Sequence, residues 1–371
     1  MNFNSFFLKS FRVLLLPFAL LYGAVIIIRN WLYNQEKFRS ANFSFPLICV
    51  GNLVVGGTGK SPMVEYLVEL LQPHFNIATL SRGYKRKTKG YALAKENTTA
   101  IEIGDEPMQF HLKYPDLPVA VGEERIVAIP QLLHDRPQTQ AIILDDAFQH
   151  REIAAGFNIL LTQYGDLYTS DFFMPTGDLR DQRSSAKRAQ MIVVTKCPPD
   201  LSVEEKNKIR KELHPHQFQE VFFTAIEYGK PYHIITKELK AITQEEEVLL
   251  VCGIANPRPL KQYLSEQAAT YYQIDYSDHH IFRIDDLKEI KKRFTAITAT
   301  QKMIVTTEKD AVRLIKFSEE LAEMPIYALP IQHRFLFDEA HLFNKGVIDF
   351  ISDFKGPQVI VQSPFNEEQS A

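Results

Sequence analysis

Cysteine is scarce in this chain of 371 residues: Cys49, Cys197 and Cys252 each lie in or beside an apolar, strand-like run. Their spacing excludes a disulfide framework and a thiolate metal clamp, so they are expected to be buried, reduced thiols. Strong net charge is also missing. The formal value is -3, which gives no general argument for nucleic acid as a partner, and no feature calls for an obligate protein partner. No internal repeat is evident. What remains is an ordinary apolar and charged composition on a chain long enough for two packed units.

Long hydrophobic runs are absent with one exception. Val13–Ile28 reads VLLLPFALLYGAVIII and is apolar on every side, so it calls for lipid or a deep groove. Lys9, Arg12, Arg29, Lys37 and Arg39 make this end locally basic. The run is shorter than the roughly 20 residues of a full span, and Pro17 and Gly23 weaken it as a straight helix. Trp31 and Tyr33 suit a headgroup boundary. No small-residue cleavage site follows, which argues against a secretory signal. Membrane anchoring is the expectation, either by crossing or by dipping.

The most informative segment is GNLVVGGTGKSP, Gly51–Pro62, lying between an apolar run and a helical pattern. Glycines let backbone N–H groups converge on anionic oxygens while a helix starting near Lys60 points its positive end at them. This predicts a phosphate-binding loop of Gly56, Gly57, Thr58, Gly59, Lys60 and Ser61, with Lys60 on the outer phosphates and the Ser61 hydroxyl on Mg²⁺. Val54 stands where a strict motif has glycine, so the strand, turn and helix context carries the reading.

Downstream, strand-like runs at 46–50, 77–80, 141–145, 158–162 and 191–195 alternate with helical patterns at 60–71, 106–113, 123–133 and 202–213. Such alternation predicts a parallel α/β sheet with ligands at the carboxyl ends of its strands. Residues 221–226 and 231–235 read as a connecting hairpin, after which the alternation resumes. The expected plan is an anchor over 1–40, a P-loop NTPase-like core over 41–216, and a β-rich connection over 217–245. A smaller α/β unit over 246–355 closes the cleft, and 356–371 form a polar tail.

Ala141–Asp145 ends in Asp145-Asp146, placed to hold Mg²⁺ opposite Ser61, although a strand-ending Asp also caps turns. Gly104-Asp105-Glu106-Pro107 opens a helix, where Asp105 serves either as a cap or in chemistry. The Arg82–Lys89 stretch is dense in bases and is either a solvated loop or a surface for an anion. Asp278-His279-His280 is a poor metal site because adjacent side chains diverge. A histidine orienting a carboxylate fits better.

With SRGYKR (Ser81–Arg86), GDLRD (Gly177–Asp181), GIANP (Gly253–Pro257) and TEKDAV (Thr307–Val312), these motifs resemble the tetraacyldisaccharide 4'-kinase family over nearly the whole chain. The resemblance implies transfer of the ATP γ-phosphoryl to the 4'-hydroxyl of a tetraacylated glucosamine disaccharide 1-phosphate. The product would be lipid IVA, made with Mg²⁺ at the cytoplasmic face of a bacterial inner membrane. It implies Asp105 as the base assisted by His279, and Asp145 and Asp146 on metal and phosphate. Arg82, Arg125 and Arg180 become substrate or transition-state clamps, Glu106 a support for base or metal, and Asp181 a substrate contact. Ala147 replaces a common glycine, and Asp178 and Asp181 replace a common Pro and Glu. The rival, a partition-type ATPase switch at the membrane, needs a lysine where Val55 stands.

Overall fold

The structure, a computed structural model, describes residues 12–354. Lys9 and the polar tail expected from 356 lie outside the described residues. Helix α1 (Leu16–Asn34) comes first. Pro17 lies in its opening turn, where a missing donor costs little, so it bounds the helix instead of bending it. Gly23 receives a neighbouring ring: a Cβ there would lie 2.6 Å from Phe173 Cδ2. The run that reads as apolar all round thus hides a seam. The Tyr22 hydroxyl donates to the Arg180 carbonyl (3.1 Å), Asn30 Nδ2 to Asp181 (2.7 Å), and Arg12 pairs with Asp178 (2.7 Å). The opposite face, with Leu14, Phe18, Leu20, Leu21, Ile28 and Trp31, is exposed.

Strands β1 (Leu47–Asn52), β2 (Ile77–Ser81), β3 (Ala92–Leu93), β4 (Val119–Val121), β5 (Ala141–Asp145), β6 (Phe157–Gln163), β7 (Met191–Thr195) and β8 (Glu220–Tyr228) belong to one nine-stranded sheet. Its interior pairs are all parallel, in the order β8-β7-β6-β1-β5-β2-β4. Parallel sheets need cover on both faces, and β1, β2, β5 and β7 are accordingly buried at every residue. Alternate residues feed two cores. Helices α2 (Lys60–Leu71) and α3 (Asp105–Lys113) pack on one face through Val64, Leu67 and Phe110. Helices α4 (Arg125–Asp135) and α5 (Val203–Leu213) pack on the other through Ile129, Leu132 and Ile209.

After Tyr228 the chain builds a five-stranded sheet from β9 (Tyr232–His233), β10 (Glu247–Cys252), β11 (Thr270–Asp275), β12 (Lys302–Thr307) and β13 (Ile326–Leu329), ordered β9-β13-β12-β10-β11. Helices α6 (Arg258–Gln267), α7 (Ile284–Ala296) and α8 (Glu308–Leu314) cover it. α8 faces both units, since Ala311 and Leu314 enter the second core while Val312 enters the first. The chain then returns. β14 (Ile331–Phe335) pairs antiparallel with β8, from Tyr228↔Ile331 to Thr224↔Phe335, and α9 (Ala340–Ser352) adds Phe343, Val347 and Ile351 to the first core. Exit and return touch, with Gly229 N donating to the Pro330 carbonyl at 2.9 Å.

Two expectations change here. No hairpin joins 221–226 to 231–235, because the first run is an interior strand of the first sheet and the second begins the second sheet. The smaller unit expected to run to 355 gives up residues 331–352, whose apolar positions are buried on the first sheet. Cys49, Cys197 and Cys252 are buried and free, as expected, and burial pushes the Cys49 thiol up to about 12.

Candidate active site

The loop after β1 is held from three sides. Asn52 Nδ2 donates to Thr58 Oγ1 (2.8 Å), Thr195 Oγ1 at the end of β7 donates to the Thr58 carbonyl (2.8 Å), and His333 Nε2 on β14 donates to the Gly59 carbonyl (2.9 Å). Burial draws His333 down to about 4, so the ring is neutral and its Nδ1 accepts from Thr224 Oγ1. The φ of Gly59, +87°, favours glycine, and a Cβ there would also crowd His333 Cε1 at 3.0 Å. A Cβ at Gly56 or Gly57 would meet nothing within 4 Å. This open cradle at the N-terminus of α2, with its unpaired first N–H groups, fits the phosphates of a nucleotide.

Asp145 and Asp146 emerge at the carboxyl end of β5, beside this loop. Asp145 is 3% exposed; its Oδ2 accepts from Ser81 Oγ (3.3 Å), and its Oδ1 is buried without a partner. Burial, then the negative charges of Glu106 and Asp146, push it up to about 7. Asp146 is opposite in character. Burial acts to raise it, but Lys60 Nζ at 3.8 Å and a two-pronged contact from Arg180 hold it below the ordinary range. Arg180 also donates to Asn52 Oδ1. Ser61 Oγ donates to Glu106 Oε1 (3.4 Å), which also accepts from Lys309 Nζ (3.0 Å). Against burial, Lys309 and then Lys60 keep Glu106 below its ordinary value.

An orphaned buried carboxylate oxygen at a strand end and a hydroxyl at a helix start are donors of the kind a hard divalent cation takes. Ser61 and Asp145 fit Mg²⁺. Among the described residues no group of three or more His, Cys, Asp or Glu side chains forms an all-protein cage. A cation here would share its remaining positions with phosphate oxygens and water.

Helix α3 begins at Asp105 with Gly104 as its N-cap. Its carboxylate points across the units. Arg313 Nε on α8 donates to Asp105 Oδ2 at 2.8 Å, and His279 Nδ1 lies 3.5 Å from the same oxygen. The neighbouring His280 turns away to Asp286 (2.9 Å) and stacks on Tyr276, so the two rings diverge as expected.

Three expected residues stand differently. Arg125 is fully buried and donates to the Asp145 carbonyl at 3.4 Å, so it braces the end of β5 instead of standing in the open cleft. Asp181, expected as a substrate contact, is 1% exposed and its carboxylate is engaged by Asn30 and Arg188 (3.2 Å), which ties α1 to the core. Arg82 is exposed and makes no side-chain hydrogen bond or ion pair among the described residues.

Residues 11–347 match the family described as Tetraacyldisaccharide-1-P 4'-kinase. The chain belongs to the tetraacyldisaccharide 4'-kinase family. A tetraacyldisaccharide 4'-kinase of Flavobacterium johnsoniae is 45% identical over 92% of this chain and 98% of its own length. One of Phocaeicola vulgatus is 41% identical over 91% and 94%. Among solved structures, LpxK from Aquifex aeolicus in complex with ATP superposes with a TM-score of 0.70 at 27% identity, covering 92% of this chain and 99% of that one. The chain is thus an ATP-dependent kinase, and the partition-type switch finds no support.

For a 4'-kinase, the site includes residues the sequence reading misses. Lys309 and Arg313 sit on α8, where TEKDAVRL reads as an ordinary amphipathic helix, and their partners Glu106 and Asp105 are some two hundred positions away. Thr195 and His333 hold the loop from strands β7 and β14. The nearest available signal was the TEKDAV motif itself.

Proposed function

We propose that the chain transfers the γ-phosphoryl group of ATP to the 4'-hydroxyl of a tetraacyldisaccharide 1-phosphate, giving lipid IVA. The observation that carries this reading is the confrontation of two half-sites. A glycine cradle with Lys60 and Ser61 is joined through the Ser61–Glu106 hydrogen bond to the start of a second helix, whose first residue, Asp105, presents its carboxylate beside His279. Phosphoryl transfer depends chiefly on alignment and charge stabilisation. Lys60 and Arg180 supply positive charge on the phosphate side, and Asp105 receives the proton of the acceptor hydroxyl. Bound at Ser61 and Asp145, Mg²⁺ would neutralise charge on the phosphate oxygens, with Asp146 and Glu106 alongside.

Support for a membrane setting comes from α1. It is the one helix among the described residues long and apolar enough to cross a membrane, and its exposed face is apolar. A lipid acceptor and cytoplasmic ATP are both within reach of a protein seated on the cytoplasmic face of a bacterial inner membrane. Exposed Arg82, Lys85, Lys87 and Lys89 suit an anionic headgroup or the acceptor's 1-phosphate. In this reading 1–40 anchors, the first sheet is the kinase core, and the second sheet closes the cleft.

The test uses purified full-length protein in mixed micelles with ATP, Mg²⁺ and the tetraacylated disaccharide 1-phosphate. The expected product is the lipid carrying one added phosphate at the 4'-position. Acceptor-independent ATP hydrolysis without lipid product, or strict preference for GTP, overturns the reading.

A further inference from the structure

The proposed base is not held by its own helix. Its hydrogen-bonded partner is Arg313, a residue of the second unit with 7% side-chain exposure. The same guanidinium makes two further contacts, to His279 Nδ1 (2.9 Å) and to Asp310 Oδ1 (3.1 Å). Asp310 is fully buried, and its other oxygen accepts from Thr307 Oγ1 (2.7 Å) and Gly253 N (2.9 Å). A Cβ at Gly253 would stand 3.1 Å from Asp310 Oδ1 and 3.2 Å from the Ser277 carbonyl, closer than side chains ordinarily pack, so glycine lets the backbone come up to Asp310 without a shift. Three motifs distant in sequence, at 104–107, 278–280 and 307–312, therefore converge on one side chain that lies just past the last of them, and a fourth, at 253–257, joins through Asp310.

Guanidinium nitrogens only donate. His279 Nδ1 must then accept from Arg313, so the proton of a neutral ring resides on Nε2, and Nδ1 has none to give Asp105. Arg313 thereby decides the tautomer of the histidine as well as the direction of the carboxylate. His279 also has φ +61°, a backbone region that L side chains rarely adopt, so the ring is placed under constraint.

We infer that Arg313 is a positioning residue for phosphoryl transfer: it aims Asp105, fixes the His279 tautomer, and makes assembly of this pair conditional on contact between the two units. The inference rests on the reading of Asp105 as base. It assigns Arg313 no contact with substrate.

The test compares Arg313→Met and Arg313→Lys in the full chain. Arg313→Met is expected to lower kcat about 100-fold with KM for ATP within about two-fold, and Arg313→Lys to recover roughly ten-fold of that loss. In an Asp105→Ala background, Arg313→Met should lower the residual rate by less than about three-fold, because the group it aims is gone. Nitrogen-15 spectra of the wild type should show His279 Nδ1 unprotonated, and Arg313→Met should move that signal. Wild-type turnover in Arg313→Met, or an equal loss with and without Asp105, overturns the inference. Should Arg313→Met fail to fold, the Arg313→Lys comparison in both backgrounds decides. A wild type that gives no phosphorylated lipid overturns the functional reading instead, and the His279 spectra still report on Arg313.

Discussion

At the residue scale, the two acids at the end of β5 are set apart by their surroundings. Asp146 has two cationic partners, while Asp145 has an unsatisfied oxygen in a buried place and is pushed up to about 7. In the proposed reading Asp145 meets the metal nucleotide as a carboxylate, so binding is expected to release the proton that its raised pKa favours in the free protein. Calorimetry at pH 6 in two buffers of different ionisation enthalpy should show release of about one proton per site, and Asp145→Asn should abolish it. For Asp105 the expectation is a kcat loss of at least about 100-fold on change to alanine, with ATP affinity retained, measured by steady-state kinetics and nucleotide titration. Equal loss of both would make Asp105 structural.

At the scale of elements, three helices meet through buried charge. Lys113 near the end of α3 bridges Glu65 of α2 (2.6 Å) and Glu308 of α8 (3.0 Å), with Gln109 on Glu65 and Tyr232 on Glu308. Burial and then Glu308 push Glu65 up to about 7, with Lys113 opposing. An acid raised in the folded state binds its proton more tightly there than in the unfolded chain. Its stabilising contribution is full below the ordinary 4.5 and is lost as pH rises through about 7. His333 and His150, both drawn down to about 4 by burial, slope the other way, so a difference measurement is needed. Denaturant titration should show Glu65→Gln gaining on wild type by about 1–3 kcal/mol between pH 5 and 7.5. Lys113→Met strands two buried carboxylates and should cost about 3–5 kcal/mol in the same assay at pH 7.5.

Legibility followed the length and burial of each element. α2, β5 and β7 end where their apolar patterns end, because both faces are covered and nothing else competes. β4 has three residues, too few to show a period, and is defined by its neighbours. The strand character of β14 is visible in its alternation of Ile331, His333 and Phe335 with Gln332 and Arg334, but its membership in the distant first sheet is a tertiary fact. α9 carried a readable signal in Phe343, Val347 and Ile351, spaced four apart. In the site, the loop and the paired acids were legible because they are local in sequence. The Asp105–Arg313 and Glu106–Lys309 pairs were not, since nothing in a sequence marks which cation crosses to another unit.

For the whole molecule, α1 joins two environments. One face is bound to the segment that carries Arg180 and Asp181, and the other leaves Leu20 and Leu21 exposed. Replacing both leucines by aspartate should lower partition onto anionic lipid vesicles at least about ten-fold in a flotation assay, without changing ATP affinity. Unchanged partition would show that this face does not meet lipid.

The contact between Gly229 and Pro330 has a consequence for the engineering of the protein. Everything from β9 to β13 enters and leaves through a doorway one hydrogen bond wide, between two strands that would otherwise be an ordinary hairpin. The register of those two strands, Tyr228↔Ile331 to Thr224↔Phe335, runs unbroken up to that doorway. Cutting the block out and closing the gap with a two-residue turn should leave a smaller protein that still grips nucleotide but lacks the His279 and Arg313 partners of Asp105, and so no longer transfers phosphate.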